Sequence, residues 1–416
     1  VPGRKLAPVL GVFGTLIPAI VLGGSVIQEV ELVVHVRVPD DTPVDARVYL
    51  AGSHPAVGEW RPDGAPLVRQ ADGRHVLRLR LPRGIRLDYK YTLGTWERVE
   101  KGLGGIERPN RVFEARSGED RTDEVLCWAA KSPRKSSLTG NIRRIENVRA
   151  ARLPYARDVW VYLPPQYERE PERRFPVVYL QDGQNVFDVS TSAFGSEWRA
   201  DDLAERLIRQ GTISPVILVA VANSPDRLDE YTGSRDARFE RGGKGQDYAH
   251  FLIEELKPRI DRDYRTLSES RNTAIVGSSL GGLISLEIAR LYPDRVGAVA
   301  ALSPALGWDE ERLLRELSER PESLGGIPIW IDMGTFEGSE SEREARSNPH
   351  VERVVRLGRA LLQNRQDRST LEVRVIEDGR HDEASWSARF GEVLIFLDRN
   401  RKSGEGPETP RLREPG

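Results

Sequence analysis

The chain has 416 residues, 38% of them hydrophobic and 30% charged, with a formal net charge of −2. That balance suits a soluble globular protein with room for two domains, and it offers no electrostatic handle for nucleic acid or an anionic membrane surface. Cys127 is the one cysteine, which excludes an intrachain disulfide framework and a thiolate metal cluster, and the six histidines lack metal-ligand spacing, so no metal and no cofactor are expected.

At the start of the chain, Arg4 and Lys5 precede an uncharged, mostly apolar run from Leu6 to Gly24 that ends in small residues. Residues 1–25 are therefore expected to be a secretory signal peptide, with an uncleaved membrane anchor as the rival reading. Pro8 and Pro18 favour cleavage, and a secreted or periplasmic protein is the expectation. A membrane partner enters only with the uncleaved form.

Between residues 30 and 116, stretches such as ELVVHVRVP, ARVYLAGS and HVLRLRLP alternate in polarity and are separated by turn residues. This predicts a small all-β sandwich. The polar text of residues 117–140, with SGEDRTDE and KSPRKSS, reads as a linker. From 141 to 402, apolar strands such as PVVYLQDG, PVILVAVAN and IPIWIDMG alternate with helical stretches such as RADDLAERLIRQG and HVERVVRLGRALLQNR. That alternation predicts an α/β domain whose mostly parallel sheet is covered by helices on both faces. Residues 403–416 are expected to be a disordered tail.

Within the second region, NTAIV leads into Gly277-Ser278-Ser279-Leu280-Gly281 and then into the helical text GGLISLEIARLYPD. Strand, G-x-S-x-G, helix is the context in which a serine sits on a sharp turn with its hydroxyl projecting at the sheet edge. Ser279 is the predicted nucleophile, and Ser278 a small residue that fits the bend. A serine hydroxyl needs a base and an orienting acid, which follow it in the order acid, then histidine. His350 lies at an apparent helix start, whereas His381, in VIEDGRHDEASW, follows the last strand and is the predicted base. For the acid, Glu337 just past the strand IPIWIDMG leads, with Asp332 inside that strand as the reserve. Two N–H groups would hold a developing oxyanion: Leu280, directly after the nucleophile, and Gln184, in the strand-end loop VVYLQDGQNVFD.

Together YLQDGQNVFD, FGSEWRADD, LDEYTGSRD, NTAIVGSSLGGLISL, ALSPALGWD, MGTFEG and GRHDEASW resemble the esterase branch of the α/β-hydrolases over about residues 141–401. That branch includes esterase D, feruloyl and acetyl-xylan esterases, siderophore (enterochelin) esterases and mycolyltransferases. The resemblance implies an α/β-hydrolase fold with Ser279, Glu337 and His381 as the triad and Gln184 and Leu280 as oxyanion donors. Some members carry aspartate at the acid position. Asn185, Trp198, Arg227, Glu230, Tyr231 and Trp308 lie in family-like segments, where either substrate contact or structural packing is expected.

The region from about Val30 to Ala115 resembles a starch-binding module of carbohydrate-binding family 20, through VYLAGSHPAVGEW, LDYKYTLGTWERVE and RPNRVF. By that likeness Trp60, Lys90, Trp96 and Asn110 would grip a glucan, although RVEKGLGGIE makes the spacing between Trp96 and Pro109 longer than the family's. A sandwich that binds nothing is an equal expectation. The reading that follows is an exported serine carboxylesterase acting by a Ser-His-Glu acyl-enzyme route on a small-molecule or polysaccharide-linked ester, such as an acyl or feruloyl ester. The alternatives are a siderophore esterase, an acyltransferase of the same fold, or a carbohydrate-binding protein with an inert hydrolase domain.

Overall fold

The computed structural model describes residues 21–403 except 23–24, 27, 41, 103–107, 130–135, 193–195, 325, 339–347, 364 and 366. The expected signal peptide or anchor and the expected disordered tail fall almost wholly outside the described residues. Among the described residues no helix is long and apolar enough to cross a membrane. The chain divides into two compact units, residues 1–131 and 132–416.

The front unit is a sandwich of two four-stranded sheets. One runs Arg111–Glu114, Arg86–Thr92, Tyr49–Gly52, Ala65–Pro66; the other runs Glu119–Glu124, Glu29–Arg37, His75–Pro82, Val68–Arg69. Their inner faces meet in a core that includes Leu32, Val34, Leu50, Leu81, Tyr89 and Phe113. The expected linker needs correction here. Glu119–Glu124 is a strand paired in parallel with Glu29–Arg37, and Cys127–Trp128 pairs with Glu100–Lys101. The strand was hidden because its inward group is a charge. Asp123 is buried, where it accepts hydrogen bonds from the Tyr89 and Tyr91 hydroxyls at 2.7 and 2.8 Å and pairs with Arg111 at 3.2 Å. A buried carboxylate so satisfied substitutes for an apolar side chain, and no alternation of hydrophobicity reports it.

The second unit is built on one mixed eight-stranded sheet. In spatial order its strands are Asn141–Val148, Arg157–Leu163, Ile217–Val221, Val177–Leu180, Thr273–Ser278, Ala298–Leu302, Ile329–Gly334 and Leu371–Ile376. The first two pairings are antiparallel and the rest are parallel. Side chains alternate between two cores as the pleat requires. Val177, Tyr179, Ile217, Val219 and Ile275 enter one core, while Val178, Leu180, Leu218, Ala220 and Val276 enter the other. Helices Leu280–Leu291 and Pro349–Gln363 cover the first face, and Ala200–Arg209 and Glu383–Ser403 the second. Parallel strands with both faces covered read as continuous apolar text, which is why this half was legible. The helical run Gly245–Asp263 contains a π-turn, Phe251–Leu256, just before Pro258. Proline has no N–H and its ring crowds the carbonyl a turn back, so the widened turn relieves the clash.

Candidate active site

All the predicted catalytic groups lie just past the carboxyl ends of parallel strands, where an open α/β sheet gathers its ligands. Ser279 follows Thr273–Ser278 and opens the helix Leu280–Leu291 with φ 55° and ψ −124°. Such a conformation in a non-glycine residue costs on the order of 1–3 kcal/mol and persists only when the surroundings hold it. They do: Ser279 N–H donates to Leu302 O, and its carbonyl accepts from Leu283 and Ala305, each at 3.0 Å. Gly277 makes the turn sterically possible, since a Cβ there would lie 2.4 Å from the Gly281 backbone.

Ser279 Oγ lies 2.9 Å from His381 Nε2, and His381 Nδ1 lies 2.7 Å from Glu337 Oε2. The structure thus brings together three side chains separated by as many as 102 positions. The imidazole is 44% exposed, with its ring edge-on to Trp386, while Glu337 is buried. The other carboxylate oxygen of Glu337 accepts from Ser303 Oγ at 2.6 Å and from Gly334 N–H at 2.8 Å. Burial alone would raise the Glu337 carboxyl, but the hydrogen bond and charge of His381, with the Ser303 and Gly334 donors, outweigh it and hold the group below the usual glutamate range. Glu337 therefore stays ionised, and an ionised acceptor on Nδ1 leaves Nε2 free to accept the serine proton.

Asp332, the reserve acid, does not reach His381 through any hydrogen bond. It is fully buried in its strand, where its carboxylate takes two bonds from Arg389 at 2.9 and 3.0 Å and one from Trp330 Nε1 at 2.8 Å. Arg389 and Trp386 in turn donate to Ser303 Oγ at 2.8 and 3.0 Å. Ser303 thus has its own hydroxyl hydrogen directed at Glu337 as a donor and is pinned behind it by the last helix. Sequence reasoning missed this supporting layer. A readable signal was a charged residue, Arg389, one turn after Trp386 in an otherwise apolar helix stripe. Asp332→Ala leaves the buried Arg389 uncompensated, and urea unfolding is expected to show a loss of about 3–5 kcal/mol.

The Leu280 N–H is the first of its helix and has no intrahelical acceptor. Gln184 sits in the single turn Gly183–Asn185, entered through Asp182 at φ 55°. Gly183 packs so closely on the neighbouring strand that a Cβ would lie 2.6 Å from the Ala220 and Val221 backbone. The turn is tied further by Gln184 Oε1, which accepts from Asn223 N–H at 3.2 Å, and by Asp182, which takes Arg227 at 2.6 and 2.8 Å.

Several expected substrate contacts need correction, because they are buried. Trp198 packs on Trp386 and Phe390. The Tyr231 hydroxyl accepts from Asp182 N–H at 3.2 Å. Trp308 stacks on Phe239 at 5.2 Å and donates to Ser234 O. Asn185 donates to Glu383, and Glu230 pairs with the equally buried Arg157. Arg227, held by Asp182, keeps 26% of its side chain exposed. Large aromatic side chains near a sheet edge gain more by filling the space under the loops than by facing water.

In the front unit Trp60 and Trp96 are half-buried, with ring centroids 6.3 Å apart and planes tilted by 38°. Lys90 is buried and Asn110 exposed. Of the long segment between Trp96 and Pro109, Glu100 is buried against Arg111, and residues 103–107 lie outside the described residues.

The model of a family described as "Putative esterase" matches residues 150–397, more than half the chain. The chain belongs to this family of esterases. Its membership makes it a carboxylic ester hydrolase. The starch binding domain model matches residues 29–123, over the sandwich. A ferri-bacillibactin esterase of Bacillus subtilis is 28% identical over 35% of this chain and 53% of its own length. An endo-1,4-β-xylanase/feruloyl esterase of Xylanibacter ruminicola is 31% identical over 36% of this chain and 20% of its own length. The chain thus spans about half or less of these two relatives. Among solved structures, the enterobactin esterase FES of Shigella flexneri has a TM-score of 0.50 and 17% identity, covering 84% of this chain and 87% of that one. That likeness concerns the fold alone.

Proposed function

We propose that this esterase is an exported serine carboxylesterase that cleaves its substrate through a covalent acyl-enzyme. The observation that carries the reading is the Ser279 hydroxyl, held in a strained strand-to-helix turn 2.9 Å from an imidazole that is itself held by a buried carboxylate. His381 Nε2 takes the hydroxyl proton as Ser279 Oγ bonds to the ester carbonyl carbon. The Leu280 and Gln184 N–H groups receive the oxyanion, and each is worth on the order of 3 kcal/mol. His381 then protonates the departing alkoxide. Water, deprotonated by the same nitrogen, cleaves the acyl-serine to the free acid and restores Ser279. Export rests on the apolar run Leu6–Gly24.

The front module supports a substrate carried on polysaccharide, as does the relative that pairs xylanase with feruloyl esterase. A panel of p-nitrophenyl esters, methyl ferulate, acetylated xylan and a catecholate siderophore tests this. Highest kcat/KM on methyl ferulate or acetylated xylan is expected, whereas a preference for the siderophore would replace the polysaccharide reading. For the module, Trp60→Ala and Trp96→Ala are each expected to weaken retention on insoluble starch at least about tenfold. Retention unchanged by both removes the glucan-binding role.

A further inference from the structure

The turn bearing Gln184 and the loop bearing His381 are joined by a buried hydrogen bond that the chemistry above does not use. Asn185 Nδ2 donates to Glu383 Oε1 at 3.1 Å, and both residues are more than nine-tenths buried. Asn185 is the last residue of the Gly183–Asn185 turn; Glu383 is the first of the helix Glu383–Ser403, two positions past His381.

A carboxylate at a helix N-terminus is favourable when it stays in water. Glu383 has instead been taken out of water. Burial pushes its carboxyl up to about 7, and the neighbouring charges of Asp182 and Asp382 add to this against the opposing influence of its own backbone N–H and of His381. Arg227, committed to Asp182, also faces it. A group that costs desolvation and still reaches across to another loop has been placed for the contact. Toward Asn185 it serves as a hydrogen-bond acceptor whether ionised or neutral, a part an amide oxygen can also play. Other ties hold the same turn at different points, through Gln184 Oε1 on Asn223 and the Trp198 N–H on Asn185 O, but neither reaches the His381 loop.

We propose that Glu383, acting through Asn185, is a positioning residue that sets the Gln184 N–H against the His381 loop, so that oxyanion donor and base are presented to one substrate in register. This rests on the esterase reading of Ser279, His381 and Glu337. Misplacing a donor weakens only what is bound in the transition state, so the effect belongs to kcat rather than KM.

The test uses the full chain, p-nitrophenyl acetate for kinetics and a fluorophosphonate to label Ser279. Glu383→Ala and Asn185→Ala are each expected to lower kcat and the labelling rate at least about tenfold, with KM within about twofold. The double variant should lose little more than either single one, because both break the same link. Glu383→Gln, which keeps an acceptor, should recover most of the rate, and thermal unfolding separates loss of fold from loss of register. A labelling rate unchanged in Glu383→Ala, a loss confined to KM, additive losses in the double variant, or a Glu383→Gln as poor as the alanine overturns the proposal. A wild type that neither labels nor turns over ester would overturn the esterase reading instead.

Discussion

Ser279→Ala is expected to lower kcat on any ester this protein cleaves by about 10⁶-fold, with KM nearly unchanged. The substitution removes the attacking oxygen and leaves His381 with no proton to move. It keeps the two backbone donors, so substrate binding and a small electrostatic acceleration survive. Alanine and serine pay the same steric cost at φ 55°, and the backbone bonds to Leu302, Leu283 and Ala305 do not involve the hydroxyl. The variant should therefore melt close to the wild type. Equal initial rates for the two chains, measured on purified protein at saturating p-nitrophenyl acetate, would remove Ser279 from the chemistry.

Glu337→Gln is expected to be the second most damaging change, at about 10⁴-fold in kcat. The reason lies in the asymmetry of the carboxylate. Oε1 accepts from both Ser303 Oγ and Gly334 N–H, so a glutamine will leave its carbonyl oxygen there and turn its NH₂ toward His381. An NH₂ facing Nδ1 makes that nitrogen an acceptor and moves the ring proton to Nε2. The imidazole then donates to Ser279 when it should accept. An Asn or Gln in place of the acid thus keeps the geometry and inverts the tautomer. A rate loss below about tenfold would mean that Glu337 does not orient His381, and stopped-flow or steady-state kinetics across pH 6–9 reads this directly.

The parts of the site legible in the sequence were those whose chemistry forces a local pattern. A strained turn needs Gly277 beside Ser279, and a base over the sheet edge must follow the last strand, where His381 stands. Glu337 leads over Asp332 because a residue within a strand cannot easily turn toward a base over the sheet edge; Asp332 instead meets Arg389 and Trp330. What stayed hidden depends on long-range meetings. Ser303, Arg389 and Trp386 converge on the back of Glu337 from two elements more than 80 positions apart, and no local spacing announces that. The strand Glu119–Glu124 reads as linker because its inward residue, Asp123, is solvated by two tyrosine hydroxyls and two arginines rather than by apolar neighbours. For Trp198, Tyr231 and Trp308 the sequence leaves substrate contact and packing both open, because the packing that buries them comes from distant helices and loops.

Acid quenching during turnover of an aryl ester, followed by peptide mass spectrometry, tests the covalent route most directly. The expected result is the mass of one acyl group on the peptide that carries Ser279, present in the wild type and missing from Ser279→Ala. Ester turnover with the acyl group on another residue, or with no adduct in the wild type at any quench time, would contradict it.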